Sequence, residues 1–253
     1  MKTKKTIVVT GATGKIGTIL IQRLLNLGYE VIGIGRSEEK FSIIKKKIGA
    51  NASFKEVKLD LLQNNIGEIL LSKLTELNIF PSILINNARS LENLRLSDNG
   101  IVSSNDFLNE FNLGVVSPYN LIMEMTKQKN SKLESVINIS SIYGLVAPNL
   151  NLYKNPKIES FPHYGVTKAA LIHLTKELAV RLIKKNIKVN CIAFGGFEGS
   201  ASEELRAKYK NFCPMGEMLN EEDIFNPIKF LVENNSLAIN GHTLVVDGGW
   251  TIW

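Results

Sequence analysis

Tyr164 and Lys168 bracket the run Tyr164-Gly165-Val166-Thr167-Lys168, and two serines, Ser140 and Ser141, close an apolar run that begins at Val136. On a helix, a tyrosine and a lysine at this spacing point the same way, one turn above the other. An ammonium beside a phenol favours the phenolate, drawing a tyrosine from its reference pKa of about 10 toward neutrality. Such a tyrosine can give a proton to a carbonyl oxygen or take one from an alcohol. A serine at the end of a neighbouring strand would hold that same oxygen by a hydrogen bond. Tyr-x-x-x-Lys alone arises often by chance on amphipathic helices, so its meaning depends on the elements that position it.

Those elements alternate. Thr6 to Thr10 reads as a buried strand, being apolar and β-branched. Gly11-Ala12-Thr13-Gly14-Lys15-Ile16-Gly17 follows, then a helical pattern through Ile16, Leu20, Leu24 and Leu27 that Gly28 ends. Strand, glycine-rich turn and helix together lay a pyrophosphate against helix N-terminal amides. A second strand, Tyr29 to Gly35, ends in Arg36-Ser37, with no acid from Ile34 to Ser37. An acid there would bond the 2′-hydroxyl of NAD, whereas an arginine accepts the 2′-phosphate of NADP. Arg36, with Lys15 as a second positive charge, therefore points to NADP(H) as the preferred cofactor, with NAD(H) as the alternative.

Further strands are expected at Ala52 to Lys58, Ile83 to Ile85, Leu133 to Ser140, Ile187 to Ala193 and Thr243 to Val246, the fourth ending in Asn86-Asn87-Ala88. One helix runs to about Leu77. A long one spans Ser104 to Lys129, with Asn112 inside it and a kink expected at Pro118. Another spans Pro162 to Lys185 and should bury Ala169, Leu171, Leu174, Leu178 and Leu182; a last one covers Glu221 to Glu233. The stretch from Phe194 to Asn220 reads as an irregular, mobile substrate loop. Strand–helix alternation without a linker gives one α/β domain, a doubly wound parallel sheet of about seven strands with helices on both faces.

Composition excludes several classes. With 253 residues, 44% hydrophobic and 21% charged, the chain is an ordinary globular one. Its net charge of +6 suits anionic small molecules. Lys45-Lys46-Lys47 and Lys184-Lys185 fall at predicted helix ends, where they complement the helix dipole rather than form a nucleic-acid patch. Two cysteines, Cys191 and Cys213, show neither metal spacing nor a disulfide framework, which fits a reducing cytoplasm. The N-terminal Met-Lys-Thr-Lys-Lys-Thr precedes an apolar run too short for a signal core. No stretch reaches transmembrane length. No metal is expected, and His163, His173 and His242 read as surface or helix-packing residues.

The ordered set of motifs resembles the short-chain dehydrogenase/reductases over essentially the whole length: Thr10-Gly11 with Gly17, Asp60, Asn86-Asn87-Ala88, Asn112, Ser141, Tyr164 with Lys168, Asn190-Cys191-Ile192 and Gly241 through Asp247-Gly248-Gly249. The resemblance implies a Rossmann-like fold, with Tyr164 as general acid/base and Lys168 tuning it and holding the nicotinamide ribose. Ser141 would orient the substrate oxygen, and Asn112 would hold a water that links Lys168 to solvent. It further implies cofactor contacts from Gly11, Thr13, Gly14, Lys15, Ile16 and Gly17, from Arg36 and Ser37, and from Asp60 and Leu61. Asn87, Ala88, Tyr164, Lys168 and Gly195 would complete them. A homodimer or homotetramer is also implied, with Leu121, Ile122, Met125, Leu171 and Leu174 offering apolar surface.

The chain also departs from the pattern. Lys15 stands where the compact branch has glycine, so Gly11, Gly14 and Gly17 follow the epimerase/dehydratase branch; Arg89 replaces the glycine after Asn-Asn-Ala, and Phe194 replaces a proline. The segment between Ser141 and Tyr164 is longer than usual, an insertion at about 145–161 carrying Tyr153, Lys154, Pro156 and Lys157. Similar insertions occur in members tied to bacterial surface-glycan and flagellin-sugar pathways. A basic lip of Arg89, Lys154 and Lys157 would suit a phosphorylated or acidic sugar. The leading expectation is an NADP(H)-dependent carbonyl/alcohol oxidoreductase acting on a small molecule. The alternatives are a sugar-nucleotide epimerase or dehydratase, for which no C-terminal substrate domain is left, and a non-catalytic NADP-binding protein on the same fold.

Overall fold

Seven short, β-branched strands alternate with helices along the chain. In the computed structural model, which describes residues 5–49, 53–199 and 201–252, the order is β1 (Thr6–Thr10), α1 (Lys15–Asn26), β2 (Glu30–Gly35), α2 (Glu38–Ile48), β3 (Phe54–Lys58), α3 (Ile66–Glu76) and β4 (Ile83–Asn86). Then come α4 (Ser104–Phe111), a π-helical turn (Asn112–Val116), α5 (Ser117–Lys127), β5 (Ser135–Ser141), α6 (Pro156–Glu159), α7 (Pro162–Leu182), β6 (Lys188–Phe194), α8 (Glu203–Lys210), α9 (Glu221–Glu233) and β7 (Thr243–Val246). The expected strand start at Ala52, Ser200 of the substrate loop and the charged residues 1–4 lie outside the described residues.

All seven strands are parallel, in the order β3-β2-β1-β4-β5-β6-β7. Neighbouring residues on a strand face opposite sides, so Ile7 and Val9 enter one core with α1, α2 and α9, while Val8 enters the other with α3, α5 and α7. Burial on both faces is why these strands read as continuous apolar runs. The strand order reverses between β1 and β4, where the loops part at the carboxyl ends and leave a ligand crevice.

Three expectations are corrected here. The long helix expected from Ser104 is interrupted: the chain makes a π-helical turn over Asn112–Val116, and Pro118 is the second residue of α5, in the first turn where proline is tolerated. Ala169 is exposed, because α7 turns Leu171, Leu178 and Leu182 inward instead. Leu121, Ile122, Met125 and Leu171 are at most 2% exposed and are consumed by the chain's own core, so they offer no surface for assembly; the second face of a parallel sheet needs them.

Candidate active site

The glycine turn is shaped by close backbone approach. Gly11 has φ +63, and a Cβ on it would lie 2.7 Å from Ala88 Cα. A Cβ on Gly17 would lie 2.8 Å from Ala12 Cα and closer still to Gly11 O. Asn87 fixes the turn from the far side of the crevice. Its Nδ2 donates to Thr10 O (3.0 Å) and Gly11 O (3.3 Å), and its backbone N–H donates to Thr10 Oγ1 (3.0 Å). Ala88 N–H donates to the same hydroxyl at 3.1 Å.

The residues fit a dinucleotide. Side chains cap α2, α4, α8 and α9. α1, like α7, starts with no side-chain cap and no acid in its first turn, and at α1 the residue before it is Gly14 of the glycine turn. The first amides of α1 are therefore left for an anion. Gly14 and Lys15 are exposed, Thr13 and Ile16 half-buried. Thr13 packs against the end of β2, where a Cβ on Gly35 would lie 3.0 Å from Thr13 Cγ2.

The other expected cofactor residues are placed less simply. Arg36 is exposed at the end of β2, its guanidinium forked onto Glu92 with two 3.2 Å hydrogen bonds. Lys15 sits exposed on the first turn of α1, where its Cδ would be 3.5 Å from a Cβ on Gly199, beyond β6. Ser37 spends its hydroxyl capping α2, accepting from Lys40 N. Asp60 accepts from Leu62 N at 3.0 Å, and buried Leu61 presents its carbonyl to Ser117 Oγ at 2.6 Å. Gly195 leaves β6 with its N–H on Val246 O at 2.8 Å.

The residues expected to handle a proton lie on neighbouring elements. Lys168 is buried, its Nζ 5.6 Å from the Tyr164 ring centroid and donating to Ile139 O at 2.9 Å. Ser140 Oγ donates to Lys168 O at 3.0 Å, fastening α7 to β5. Ser141 ends β5 opposite Phe194 of β6 and accepts from Tyr143 N at 3.3 Å. Two glycines let the turn after Ser141 press on α7. A Cβ on Gly165 would be 2.9 Å from Tyr143 O, and one on Gly144 would be 2.7 Å from the Lys168 carbonyl carbon. A serine hydroxyl, a phenol and an ammonium thus share the mouth of the crevice. That set can hold an oxygen and move a proton to or from it.

Asn112 opens the π-helical turn that runs beside Lys168. Its side chain is exposed at the start of the π-helical turn, while Leu113 and Gly114 face the crevice with Lys168. The extra residue of a π turn rotates the following side chains.

The stretch beyond β6 is not irregular, and this too is a correction. It contains α8, and Phe197 pairs with Leu219. Tyr209 is buried and stacks on Trp250, centroids 4.5 Å apart. Burial pushes the Tyr209 phenol up to about 12. The insertion joins this roof: Leu152 is buried with Ile142, Tyr209 and Trp250. The Tyr153 hydroxyl lies 3.0 Å from that of Tyr143, whose phenol burial raises further. Lys154 pairs with Glu204 of α8 at 2.6 Å. Of the expected basic lip, Lys154 thus turns to Glu204, Lys157 is exposed, and Arg89 lies against Tyr164, its guanidinium 5.1 Å from the ring centroid.

Sequence reasoning missed a buried polar group behind Tyr164. Glu110 of α4 is 3% exposed and His163 of α7 fully buried. His163 Nε2 lies 2.8 Å from Asn93 O, so that nitrogen carries the proton. Burial raises the Glu110 carboxyl, while the charges of Lys168, His163 and Arg89 pull it down. A Glu on an amphipathic helix reads as surface, and no local signal marks it otherwise. The ladder Asn86–Asn138–Thr175, bonded at 2.8 and 2.9 Å, was equally hidden.

The family model described as enoyl-(acyl carrier protein) reductase matches residues 11–251. The post-translational flagellin modification protein A of Campylobacter coli is 38% identical over 122 residues, 48% of this chain and 48% of that protein, so the chain spans about half the length of that relative. The 3-oxoacyl-[acyl-carrier-protein] reductase FabG of Aquifex aeolicus (strain VF5) is 28% identical over 252 residues, 97% of this chain and 96% of its own. A solved 4-hydroxyisoleucine dehydrogenase complexed with NADH superposes with a TM-score of 0.84 at 26% identity, covering 99% of this chain and 100% of that one. Other similar solved structures hold NAD+ or NADP.

Proposed function

The chain belongs to the short-chain dehydrogenase/reductase family and is an NAD(P)-dependent oxidoreductase, and from that membership we propose that it interconverts a carbonyl and a secondary alcohol with NADP(H) preferred. One observation carries this reading: Tyr164 and Lys168 share a face of α7 beside Ser141 at the end of β5. The dinucleotide, when bound, supplies or accepts the hydride. Tyr164 gives the substrate oxygen its proton during reduction and removes it during oxidation. Lys168 keeps positive charge beside the phenol, and Ser141 donates a hydrogen bond to the oxygen as negative charge develops there. The amides opening α1 hold the pyrophosphate, and Arg36 takes the 2′-phosphate.

The substrate we favour is a sugar or sugar phosphate in surface-glycan synthesis, acted on in the cytoplasm. Supporting it are the likeness to the flagellin modification protein, the insertion that brings Tyr153 to Tyr143, and Arg89 beside Tyr164. A second reading, reduction of a 3-oxoacyl thioester, is favoured by the full-length likeness to the FabG protein. Assembly as a homodimer or homotetramer would use exposed Leu108, Val116 and Tyr119 with Val166 and Val180; light scattering tests it. Among the described residues no helix is long and apolar enough to cross a membrane. Oxidation of NADPH with keto-sugars, their phosphates, simple ketones and a 3-oxoacyl thioester tests the reading. Reduction of a keto-sugar is expected, and failure with every carbonyl refutes it.

A further inference from the structure

Arg36, the residue that would read the 2′-phosphate, is already engaged. Its two terminal nitrogens meet the two carboxylate oxygens of Glu92 at 3.2 Å each, the forked geometry in which arginine binds planar anions. The partner comes from far along the chain. Arg36 follows β2 and Glu92 follows β4, and the sheet order sets β1 between them. The pair therefore joins the two loops that flank the glycine turn of β1, at the adenosine end of the crevice.

The backbone that carries Glu92 is held in place. The Glu92 N–H donates to Ser90 Oγ at 3.1 Å, and Leu94 N–H closes a turn on Leu91 O at 3.2 Å. Ser90, Asn93 and Leu94 on either side are buried, and Asn93 O is tied to the His163 ring. The loop is pinned by its buried residues and projects the carboxylate at Arg36. Both side chains remain partly in solvent, 49% and 64% exposed, so the pair is weak enough for a ligand to displace.

We propose that Glu92 is a cofactor-specificity residue, a carboxylate latch that competes with the 2′-phosphate of NADP for Arg36. The proposal rests on the reading of Arg36 as the phosphate-binding residue. A phosphomonoester that takes the same two nitrogens must displace Glu92, and like charge opposes the two sharing the guanidinium. NAD has a neutral 2′-hydroxyl there. It leaves the ion pair intact and can donate to Glu92, the role an acid at the end of β2 plays in NAD-binding members of this fold. Arg36 alone favours NADP, and Glu92 moves the balance back toward NAD. The missing acid of β2 is thus supplied by the β4 loop.

Calorimetric titration of the intact protein with NADPH and with NADH, at low ionic strength, tests this. Glu92→Gln should tighten NADPH about two- to fivefold, the worth of an exposed ion pair, while NADH stays the same or weakens. The gain should shrink as salt is raised. Glu38→Gln makes the same change of charge near Arg36, at a residue whose partner is Lys58, and should leave the ratio of the two affinities unchanged. Unchanged NADPH affinity in Glu92→Gln overturns the proposal, as does an equal gain in Glu38→Gln or an equal gain for NADH. Arg36→Ala separates the two levels. If it weakens NADPH while Glu92→Gln does nothing, only the latch falls; if it costs NADPH nothing, the assignment of Arg36 falls as well.

Discussion

Gly17→Ala probes the cradle for the dinucleotide, and its cost follows from the geometry. The new Cβ would sit 2.8 Å from both Cα and C of Ala12, against 3.4–4 Å for ordinary contact, with Gly11 O nearer still. These atoms are backbone, so the turn must move by at least about half an ångström. Overpacking of this kind costs about 1–3 kcal/mol, and alanine recovers about 1 kcal/mol over glycine inside a helix. A backbone clash belongs at the upper end, leaving a net loss of about 2 kcal/mol. That corresponds to about 4–8 °C in Tm for a chain of this size. The displaced amides should also lose about one charge-assisted hydrogen bond to the pyrophosphate, at least about tenfold in Kd. Gly14→Ala is the contrast. Its backbone is unstrained at φ −81, and the new Cβ meets only Gly11 O, at 3.2 Å. It should melt within about 3 °C of the unmodified protein yet still weaken NADPH, because the methyl is added to the exposed glycine turn that opens α1. Thermal melts and calorimetry measure both. Gly17→Ala with unchanged Tm and Kd, or Gly14→Ala losing more Tm than Gly17→Ala, would refute the geometry.

Glu110→Gln tests the buried acid: burial raises the Glu110 carboxyl, so its contribution to stability is fully present below the unfolded value of about 4.3 and lost as pH rises through the folded one. The variant should melt a few degrees higher than the unmodified protein at pH 8, about 2–4 °C per kcal/mol, with the difference shrinking toward pH 5; a difference independent of pH would count against it. Trp250→Ala removes the buried ring stacked on Tyr209, should cost about 3–5 kcal/mol, and should speed proteolysis within residues 201–212; unchanged melting would show that the roof does not depend on it. Ser141→Ala should lower kcat about 10²- to 10³-fold while NADPH affinity stays within about twofold, and a kcat within threefold would remove Ser141 from oxygen binding.

What the sequence made legible was what local pattern controls. Buried parallel strands announce themselves as β-branched runs, and β1, β2, β4 and β7 appear within a residue or two of their expected bounds. The glycine turn, Ser141, Tyr164 and Lys168 follow, because the ends of parallel strands and one helix face bring them together. What stayed hidden depends on contacts remote in sequence. Arg36 meets Glu92 across two loops, and Tyr209 meets Trp250 only once the chain has folded back along β7. Glu110 was unreadable because its burial depends on α7 closing over α4. The exposure of Asn112 comes from the π turn, which a period of 3.6 does not describe. Leu121, Ile122 and Met125 looked like surplus apolar surface because the sheet's second face could not be counted before its helices were placed.

Tyr164→Phe tests the central claim most directly. The change keeps the ring beside Lys168 and Arg89 and removes the hydroxyl that carries the proton. Single-turnover oxidation of bound NADPH, with any carbonyl compound the unmodified protein accepts, should slow about 10²- to 10⁴-fold, while calorimetry finds NADPH bound within about twofold of the original affinity. Turnover by Tyr164→Phe at the unmodified rate would contradict the assignment of Tyr164 as the proton donor and, with it, the reading of the whole crevice as a carbonyl-reducing site.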